Sequence, residues 1–270
     1  MTLFDAFRYD GKRVLVVGGA TGMGAASARL VQDAGAEVVV MDFAEVTLVG
    51  AKAIHVDLAD RSSIDAAIAE CGGPVDVLLS CAGVADGTPG IERINFIGHR
   101  HMIDTLIAGG MLGRGASIGF ISSAAGLGWE ANLAEIQEYL ATPDFDAAVA
   151  WVEAHGKADY MSTKQAMCAY VAGQAFPLLK RGIRINAICP GPTDTPLAQA
   201  NKDMWLGFGS DYRIEAATPL EQAYPLVFLC SDAAAAITGI IMVTDSGYMS
   251  SGITGSFPGA TAIANMLLFR

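Results

Sequence analysis

Charge is what this chain has least of. Asp, Glu, Lys and Arg make up 17% of its 270 residues, against roughly a quarter in an average globular domain. Apolar residues reach 52%, so the expectation is that part of the surface is hidden between copies of the chain. The basic sign is the scarcer one, 17 Lys and Arg against 28 Asp and Glu, for a net charge of −11. Nucleic-acid backbones and anionic membrane surfaces are bound by clustered Lys and Arg, and this composition argues against both. Cysteines are few and scattered: Cys71, Cys81, Cys168, Cys189 and Cys230 form no C-x-x-C pair. Neither a disulfide framework nor a zinc site is indicated, and they read as small core side chains in a reducing compartment. His55, His99, His101 and His155 have no Cys or carboxylate at ligand spacing, so no metal site is expected. No apolar run reaches membrane-spanning length, and the N-terminus lacks a basic start, an apolar stretch and a small-residue cleavage site. A soluble, cytoplasmic protein with a small-molecule partner is expected.

What is present is rhythm. Short β-branched runs at 14–17, 37–41, 53–56, 75–80, 116–121, 184–188 and 240–243 read as buried strands. Between them, segments 23–34, 61–71, 91–107, 159–179 and 220–230 have helical patterns. Alternating β and α along the whole chain predicts an α/β fold, a doubly wound parallel sheet of about seven strands with helices on both faces. No linker divides the chain, so a single domain over 1–270 is expected. One stretch breaks the rhythm: 36 residues separate Ser123 from Tyr160, where a βα loop has about two to six. An insertion at about 124–158 is expected, with short helices at 133–140 and 145–154 and Pro143 between them.

Two groups of residues carry chemistry. After the first strand, Gly18, Gly22 and Gly24 sit in a G-x-x-x-G-x-G turn with Met23 inside it. Glycine there permits a tight turn and close approach to a pyrophosphate, held by the amides of the helix that follows. The plain alternative is a tight βα turn without a ligand. Asp42 ends the second strand, 18 residues after Gly24. A carboxylate at this place accepts hydrogen bonds from ribose hydroxyls and repels a 2′-phosphate, so NAD is expected rather than NADP. Asp57, after the third strand, is a further candidate on the adenine side. The second group is Tyr160 and Lys164. At i and i+4 on a helix, phenol and ammonium share a face, and the cation favours the phenolate, which suits acid-base work.

On these residues, and on several more in the same order, the chain resembles the short-chain dehydrogenase/reductase family over nearly its full length. Gly18, Gly22 and Gly24 match its glycine turn, with Val17 where Thr is usual. Asp57-Leu58 matches its adenine-side pair. Ser80-Cys81-Ala82-Gly83 keeps the Ala-Gly end of the family's Asn-Asn-Ala-Gly. The resemblance implies Ser123 (of the pair Ser122-Ser123), Tyr160 and Lys164 as catalytic residues, and Asn95 as anchor of a water-mediated proton path beside the lysine. It implies Pro190 and Gly191 as a shaping turn, with the Thr193 backbone and the Thr195 hydroxyl on the nicotinamide carboxamide. Ala82, Gly83, Tyr160 and Lys164 join the cofactor contacts. Val243-Thr244-Asp245-Ser246-Gly247 is similar to the family's last strand and its Asp-Gly-Gly turn, with Ser246 in place of the first glycine.

The implied activity is NAD-dependent interconversion of an alcohol and its carbonyl. The insertion, with Gly126-Leu127-Gly128-Trp129 near the serine, is similar to bacterial 3α-hydroxysteroid dehydrogenase/carbonyl reductases and to coniferyl-alcohol dehydrogenase-like members. A hydrophobic alicyclic, steroid-like or aryl alcohol or ketone is the expected substrate. A covering loop at about 196–219, carrying Met204, Trp205, Leu206 and Phe208, suits such a ligand. The outer face of the tyrosine helix commonly packs between subunits in this family, and the insertion lies next to it, so a dimer is favoured over a tetramer. An NAD-binding regulator without turnover is the alternative; a complete Asn95, Ser123, Tyr160 and Lys164 set speaks against it, because binding needs no proton donor. Trp151 is expected in the core.

Overall fold

The computed structural model describes residues 2–199 and 215–268. Seven parallel strands form one sheet: β1 Arg13–Val17, β2 Glu37–Asp42, β3 Lys52–His55, β4 Val75–Ser80, β5 Leu112–Ile121, β6 Arg184–Pro190 and β7 Ile241–Thr244. Their order is β3-β2-β1-β4-β5-β6-β7, every neighbouring pair parallel. The chain begins in the middle, runs outward to β3, and returns to β4 on the other side of β1. A crevice opens at that reversal, beyond the carboxyl ends of the strands.

The Val-rich runs form strands because both sheet faces are covered, and period-2 alternation shares them between two cores. Leu15, Val17, Val39, Met41 and Leu78 point into one core, roofed by α2 Arg61–Cys71, α3 Gly98–Ala108 and α6 Tyr160–Lys180. Val14, Val16, Val38, Val40 and Leu79 point into the other, under α1 Gly22–Asp33 and a later helix, Pro219–Cys230. Among the described residues no helix is long and apolar enough to cross a membrane.

The insertion is ordered as two helices, α4 Leu133–Leu140 and α5 Phe145–His155. Asp144 caps α5 by accepting the Ala147 amide at 2.9 Å, and Gly156 at φ 63° ends it. Ile136, Tyr139, Phe145, Ala148 and Val152 join the first core, so the insertion extends that layer. Trp151 packs partly buried at its rim, stacked between Tyr139 and His155.

Three features depart from the sequence expectation. The helix expected over 91–107 opens as a π turn, Arg93–Ile97, before α3; such turns gather at functional sites, and Asn95 lies in this one. β5 begins four residues earlier than expected, through Gly113-Arg114-Gly115, where the Gly115 amide pairs with the Gly182 carbonyl at 2.8 Å. Following α7 Pro196–Gln199 and α8 Pro219–Cys230, the chain ends in α9 Tyr248–Thr254 and α10 Pro258–Leu268, neither of which the apolar pattern announced. Most of the covering loop expected at 196–219, with Met204, Trp205, Leu206 and Phe208, lies outside the described residues.

Candidate active site

The crevice is a cleft of about 520 Å³ that runs from the glycine turn and Asp42 to Tyr160, Lys164 and Thr195. At its first end the turn is built by close packing. Gly18 has φ 83°, and a Cβ there would lie 2.3 Å from the Ala82 amide nitrogen; on Gly24 it would lie 1.9 Å from the Gly18 carbonyl oxygen. No other residue fits either place. Gly22, at φ 56°, faces the Thr195 side chain across the cleft, and Met23 packs partly buried on the second core. Asp42 is fixed by two backbone donors, Ala20 at 2.8 Å and Ala44 at 2.9 Å, one on each carboxylate oxygen. Each oxygen keeps a further lone pair for a ligand hydroxyl. Asp57 accepts the Ala59 amide at 2.8 Å, and Leu58 beside it is buried.

At the other end, β5 delivers Ser122 and Ser123, and the structure separates their tasks. Ser122 is buried, donates to the Lys164 carbonyl at 3.1 Å and touches Cys168 Sγ at 3.3 Å. Ser123 accepts the Ala125 amide at 3.2 Å and hydrogen-bonds the Tyr160 side chain. Tyr160 opens α6. Its amide, one of the first-turn donors a helix cannot satisfy internally, is taken by Asp86 at 2.8 Å, while Asp159 takes the Ser162 amide at 2.8 Å. One turn on, the Lys164 ammonium donates to the Ile121 carbonyl at 3.0 Å and lies 5.5 Å from the Tyr160 ring centre. Asn95 is fully buried and pinned on both sides: its Oδ1 accepts the Val84 amide at 2.7 Å, and its Nδ2 donates to the Val84 carbonyl at 3.1 Å. Nδ2 also lies 3.5 Å from Thr163 Oγ1.

Gly83 stands between these groups. A Cβ on it would sit 3.4 Å from Asn95 Oδ1 and 3.6 Å from Lys164 Nζ. Its missing side chain leaves the ammonium open to the cleft, with Ile121 taking one of three N–H groups, as a site for a ribose hydroxyl requires. The residues present therefore fit a dinucleotide: amides and glycines at the pyrophosphate position, a carboxylate at one ribose position and an ammonium at the other.

Burial governs the electrostatics. It pushes the Lys164 ammonium from 10.5 down to about 8. It also raises the Tyr160 phenol, and the leading influence in the other direction is the Ser123 hydrogen bond. The sequence reading gave that opposing role to Lys164; the Ser123 hydroxyl fills it here, and desolvation outweighs it. His99, also buried, is lowered to about 4 by desolvation, so it is neutral and donates Nε2–H to the Ala82 carbonyl at 3.1 Å. His99 is a packing residue.

The loop after β6 completes the cleft. Pro190 ends the strand, and a Cβ on Gly191 would come within 2.7 Å of Asp245 Cβ. Thr193 Oγ1 donates to the Gly191 carbonyl at 3.0 Å, and Thr195 Oγ1 accepts the Ala198 amide at 3.2 Å. The structure thus brings together Asn95, Ser123, Tyr160, Lys164 and Gly83 at one end, and Gly18, Gly22, Gly24 and Asp42 at the other. Sequence reasoning missed Asp86, which anchors the start of α6, and the Ile121 carbonyl that holds the lysine; Asp245, named only within the turn after the last strand, also braces Gly191. Asp86-Gly87 reads only as a turn signal, and a carbonyl leaves no sequence signal.

Known proteins resemble this chain in sequence and fold. The family model described as enoyl-(acyl carrier protein) reductase matches residues 18–249. Cis-4-hydroxycyclohexanecarboxylate dehydrogenase of Sinomonas cyclohexanicum is 31% identical over 261 residues, covering 88% of this chain and 96% of its own. The chain belongs to the short-chain dehydrogenase/reductase family. Coniferyl-alcohol dehydrogenase of Pseudomonas sp. strain HR199 is 28% identical over 252 residues, covering 89% of this chain and 97% of its own. Among solved structures, the 3-alpha-hydroxysteroid dehydrogenase from Pseudomonas sp. B-0831, complexed with NADH, superposes with a TM-score of 0.73 at 25% identity, over 91% of this chain and 99% of that one. This short-chain dehydrogenase/reductase is an oxidoreductase, and its relatives' names place dehydrogenases, not only reductases of acyl groups, around it.

Proposed function

We propose that the protein is an NAD-dependent dehydrogenase that interconverts a hydrophobic ring alcohol, alicyclic or aryl, with its carbonyl. The observation that carries this reading is one continuous cleft with a fixed carboxylate, Asp42, at one end and Tyr160 and Lys164 at the other, with Ser123 hydrogen-bonded to Tyr160. The nicotinamide, when bound, supplies the hydride acceptor for oxidation and the donor for reduction. Gly18, Gly22 and Gly24, with the amides opening α1, hold the pyrophosphate. Asp42 takes the adenosine ribose hydroxyls, and its charge excludes a 2′-phosphate. Asp57 and Leu58 flank the adenine. Pro190, Gly191, Thr193 and Thr195 hold the carboxamide, and Lys164 the second ribose.

Ser123 donates a hydrogen bond to the substrate oxygen and orients it on Tyr160. Tyr160 Oη takes the hydroxyl proton in oxidation and returns it in reduction. Lys164 passes that proton onward through water that the pinned Asn95 anchors. The substrate class is supported by the relatives' names, which specify a hydroxycyclohexane acid, coniferyl alcohol and a 3-alpha-hydroxysteroid. Insertion helix α4 packs against α6, and a cytoplasmic homodimer is the assembly this reading expects; a tetramer in sedimentation would contradict that part.

The test is a panel of cyclohexanols, hydroxysteroids and aryl alcohols with NAD and with NADP, followed at the absorbance of the reduced cofactor. The expected result is turnover of at least one ring alcohol with NAD clearly preferred. Tight NADH binding without turnover across the panel would instead indicate a binding protein that regulates.

A further inference from the structure

The insertion leaves α6 without a short connection to β5. With 36 residues between Ser123 and Tyr160, the chain itself does not set the distance between these two side chains, and other bonds must place the start of the helix. Further along, the sheet holds it: Lys164 Nζ donates to the Ile121 carbonyl at 3.0 Å, and the Lys164 carbonyl accepts Ser122 Oγ at 3.1 Å. Those bonds act one turn beyond Tyr160. In the first turn, Asp159 accepts the Ser162 amide at 2.8 Å and its hydroxyl at 2.7 Å, and the Tyr160 carbonyl accepts the Thr163 hydroxyl at 2.7 Å. These local bonds keep the turn's shape and do not fix its place.

A tie from outside the helix comes from Asp86. Its Oδ1 accepts the Tyr160 amide at 2.8 Å, across 74 residues of sequence. That amide opens the helix and has no acceptor within it, and a carboxylate there faces the positive end of the helix dipole. Asp86 is itself held in a tight turn, Ala85-Asp86-Gly87-Thr88. The Thr88 amide and hydroxyl close it on the Ala85 carbonyl at 3.3 Å and 2.8 Å, and Gly87 has φ 78°. Just before the turn, Asn95 pins both backbone groups of Val84, and the Ala82 amide donates to the Val17 carbonyl at 2.9 Å. Ala82, Gly83 and Val84 wall the cofactor cleft. The stretch 82–86 therefore runs from that wall to the backbone of Tyr160.

We infer that Asp86 is a positioning residue for proton transfer: by holding the Tyr160 amide to the stretch 82–86, it sets the place of the phenol relative to Ser123 and the cleft. The inference rests on the dehydrogenase reading and adds what places its proton-transfer group. Asp86 is not among the residues that wall the cleft, so it acts through Tyr160. A phenol displaced by a fraction of an ångström loses rate while the cofactor and the alcohol still bind. An amide oxygen in place of the carboxylate accepts the same N–H, so Asn keeps the hold, and Ala, with no acceptor, releases it.

Asp86→Ala and Asp86→Asn are compared with the parent enzyme in the oxidation of cyclohexanol by NAD, in H2O and in D2O, with NADH affinity and stoichiometry measured by fluorescence titration. Asp86→Ala is expected to lower kcat about tenfold, with KM for NAD and for cyclohexanol within about twofold and a solvent isotope effect on kcat at least as large as the parent's. NADH affinity and stoichiometry should not move. Asp86→Asn should return kcat to within about threefold of the parent. An unchanged kcat in Asp86→Ala, a fall that only follows the loss of NADH-binding chains, or a fall without a solvent isotope effect overturns the positioning role. An Asp86→Asn as slow as Asp86→Ala overturns it too, because the effect then belongs to the charge and not to the hold on the amide. Should Asp86→Ala fold poorly, Asp86→Glu, which shifts the same carboxylate along its side chain, carries the comparison. A parent that oxidises another alcohol but not cyclohexanol is compared on that alcohol. A parent that oxidises no alcohol sinks the dehydrogenase reading, and the positioning role with it.

Discussion

The two ends of the cleft are held by opposite means. At the glycine turn, Asp42 and Asp57 each accept backbone amides at most 22 residues away, and Asp42 is fixed by Ala20 and Ala44 at the rim. At the other end, Asn95, Ser123 and Lys164 are buried; Val84 holds Asn95 from 11 residues away, and Ser123 and Lys164 find their partners, Tyr160 and Ile121, in distant segments. In the proposed function the first end recognises, with its carboxylates held by backbone amides at the cleft. The second reacts, with protonation set by exclusion of solvent. Recognition therefore asks little of the fold, and proton transfer asks for a buried ion that the fold would be more stable without.

The largest effect should come from breaking the reacting end. Lys164→Met is expected to lower kcat by about a thousandfold. It should also raise Tm in the absence of cofactor, by thermal denaturation. A fall from 10.5 to about 8 corresponds to about 3 kcal/mol against the charged form at neutral pH. Because the folded pKa is the lower one, that cost is present in full below about pH 8 and fades toward 10.5, so the parent should gain stability with pH across this window and the variant should not. A variant less stable than the parent at neutral pH would show that Lys164 is not a burden to the fold.

The adjacent serines sharpen the contrast inside a single dipeptide. Ser123→Ala should reduce kcat about a hundredfold, whereas Ser122→Ala should leave turnover nearly intact and cost about 1 kcal/mol of stability, from the lost bond to the Lys164 carbonyl. Parallel kinetics and urea denaturation decide it. At the recognition end, Asp42→Asn should raise KM for NAD about tenfold and leave kcat unchanged, because the charge-assisted hydrogen bonds that the ribose hydroxyls donate to the carboxylate are weakened while the reacting groups are untouched. It should also narrow the gap to NADP. A fall in kcat would mean that the ends are not separable.

The smallest expected effect is on pH dependence. Burial raises the Tyr160 phenol, so the base form needed for oxidation is scarce at neutral pH and grows as pH rises. Alcohol oxidation should increase from about pH 7 to about pH 9, while carbonyl reduction, which uses the protonated phenol, stays flat at neutral pH and falls only at the alkaline end. Opposite limbs would assign the proton to another group.

The same contrast explains what the sequence made legible. Strand runs and the glycine turn are local: period-2 valines and closely spaced glycines state their own geometry, and Asp42 needed only its place at a strand end. The short insertion helices were legible for the same reason, through apolar spacing with Pro143 between them. Partners brought by topology were not, since nothing in a sequence announces that the Ile121 carbonyl holds Lys164 or that Asp86 takes the first amide of α6. The direction of the Tyr160 shift was hidden too, because the i, i+4 spacing shows the cation and not the burial that raises the phenol. The C-terminal helices α9 and α10 were hidden by composition: Gly, Ser and Ala packed by close approach leave no apolar stripe to read.

The account stands most directly on Tyr160 as the group that moves the proton. Tyr160→Phe, measured for steady-state oxidation of a ring alcohol and for NADH binding by fluorescence titration, separates chemistry from recognition. The expected result is a loss of turnover of about a thousandfold or more, with NADH affinity within about threefold of the parent. Retained turnover would contradict the proton-transfer role, and a parallel loss of NADH binding would contradict the division between the two ends of the cleft.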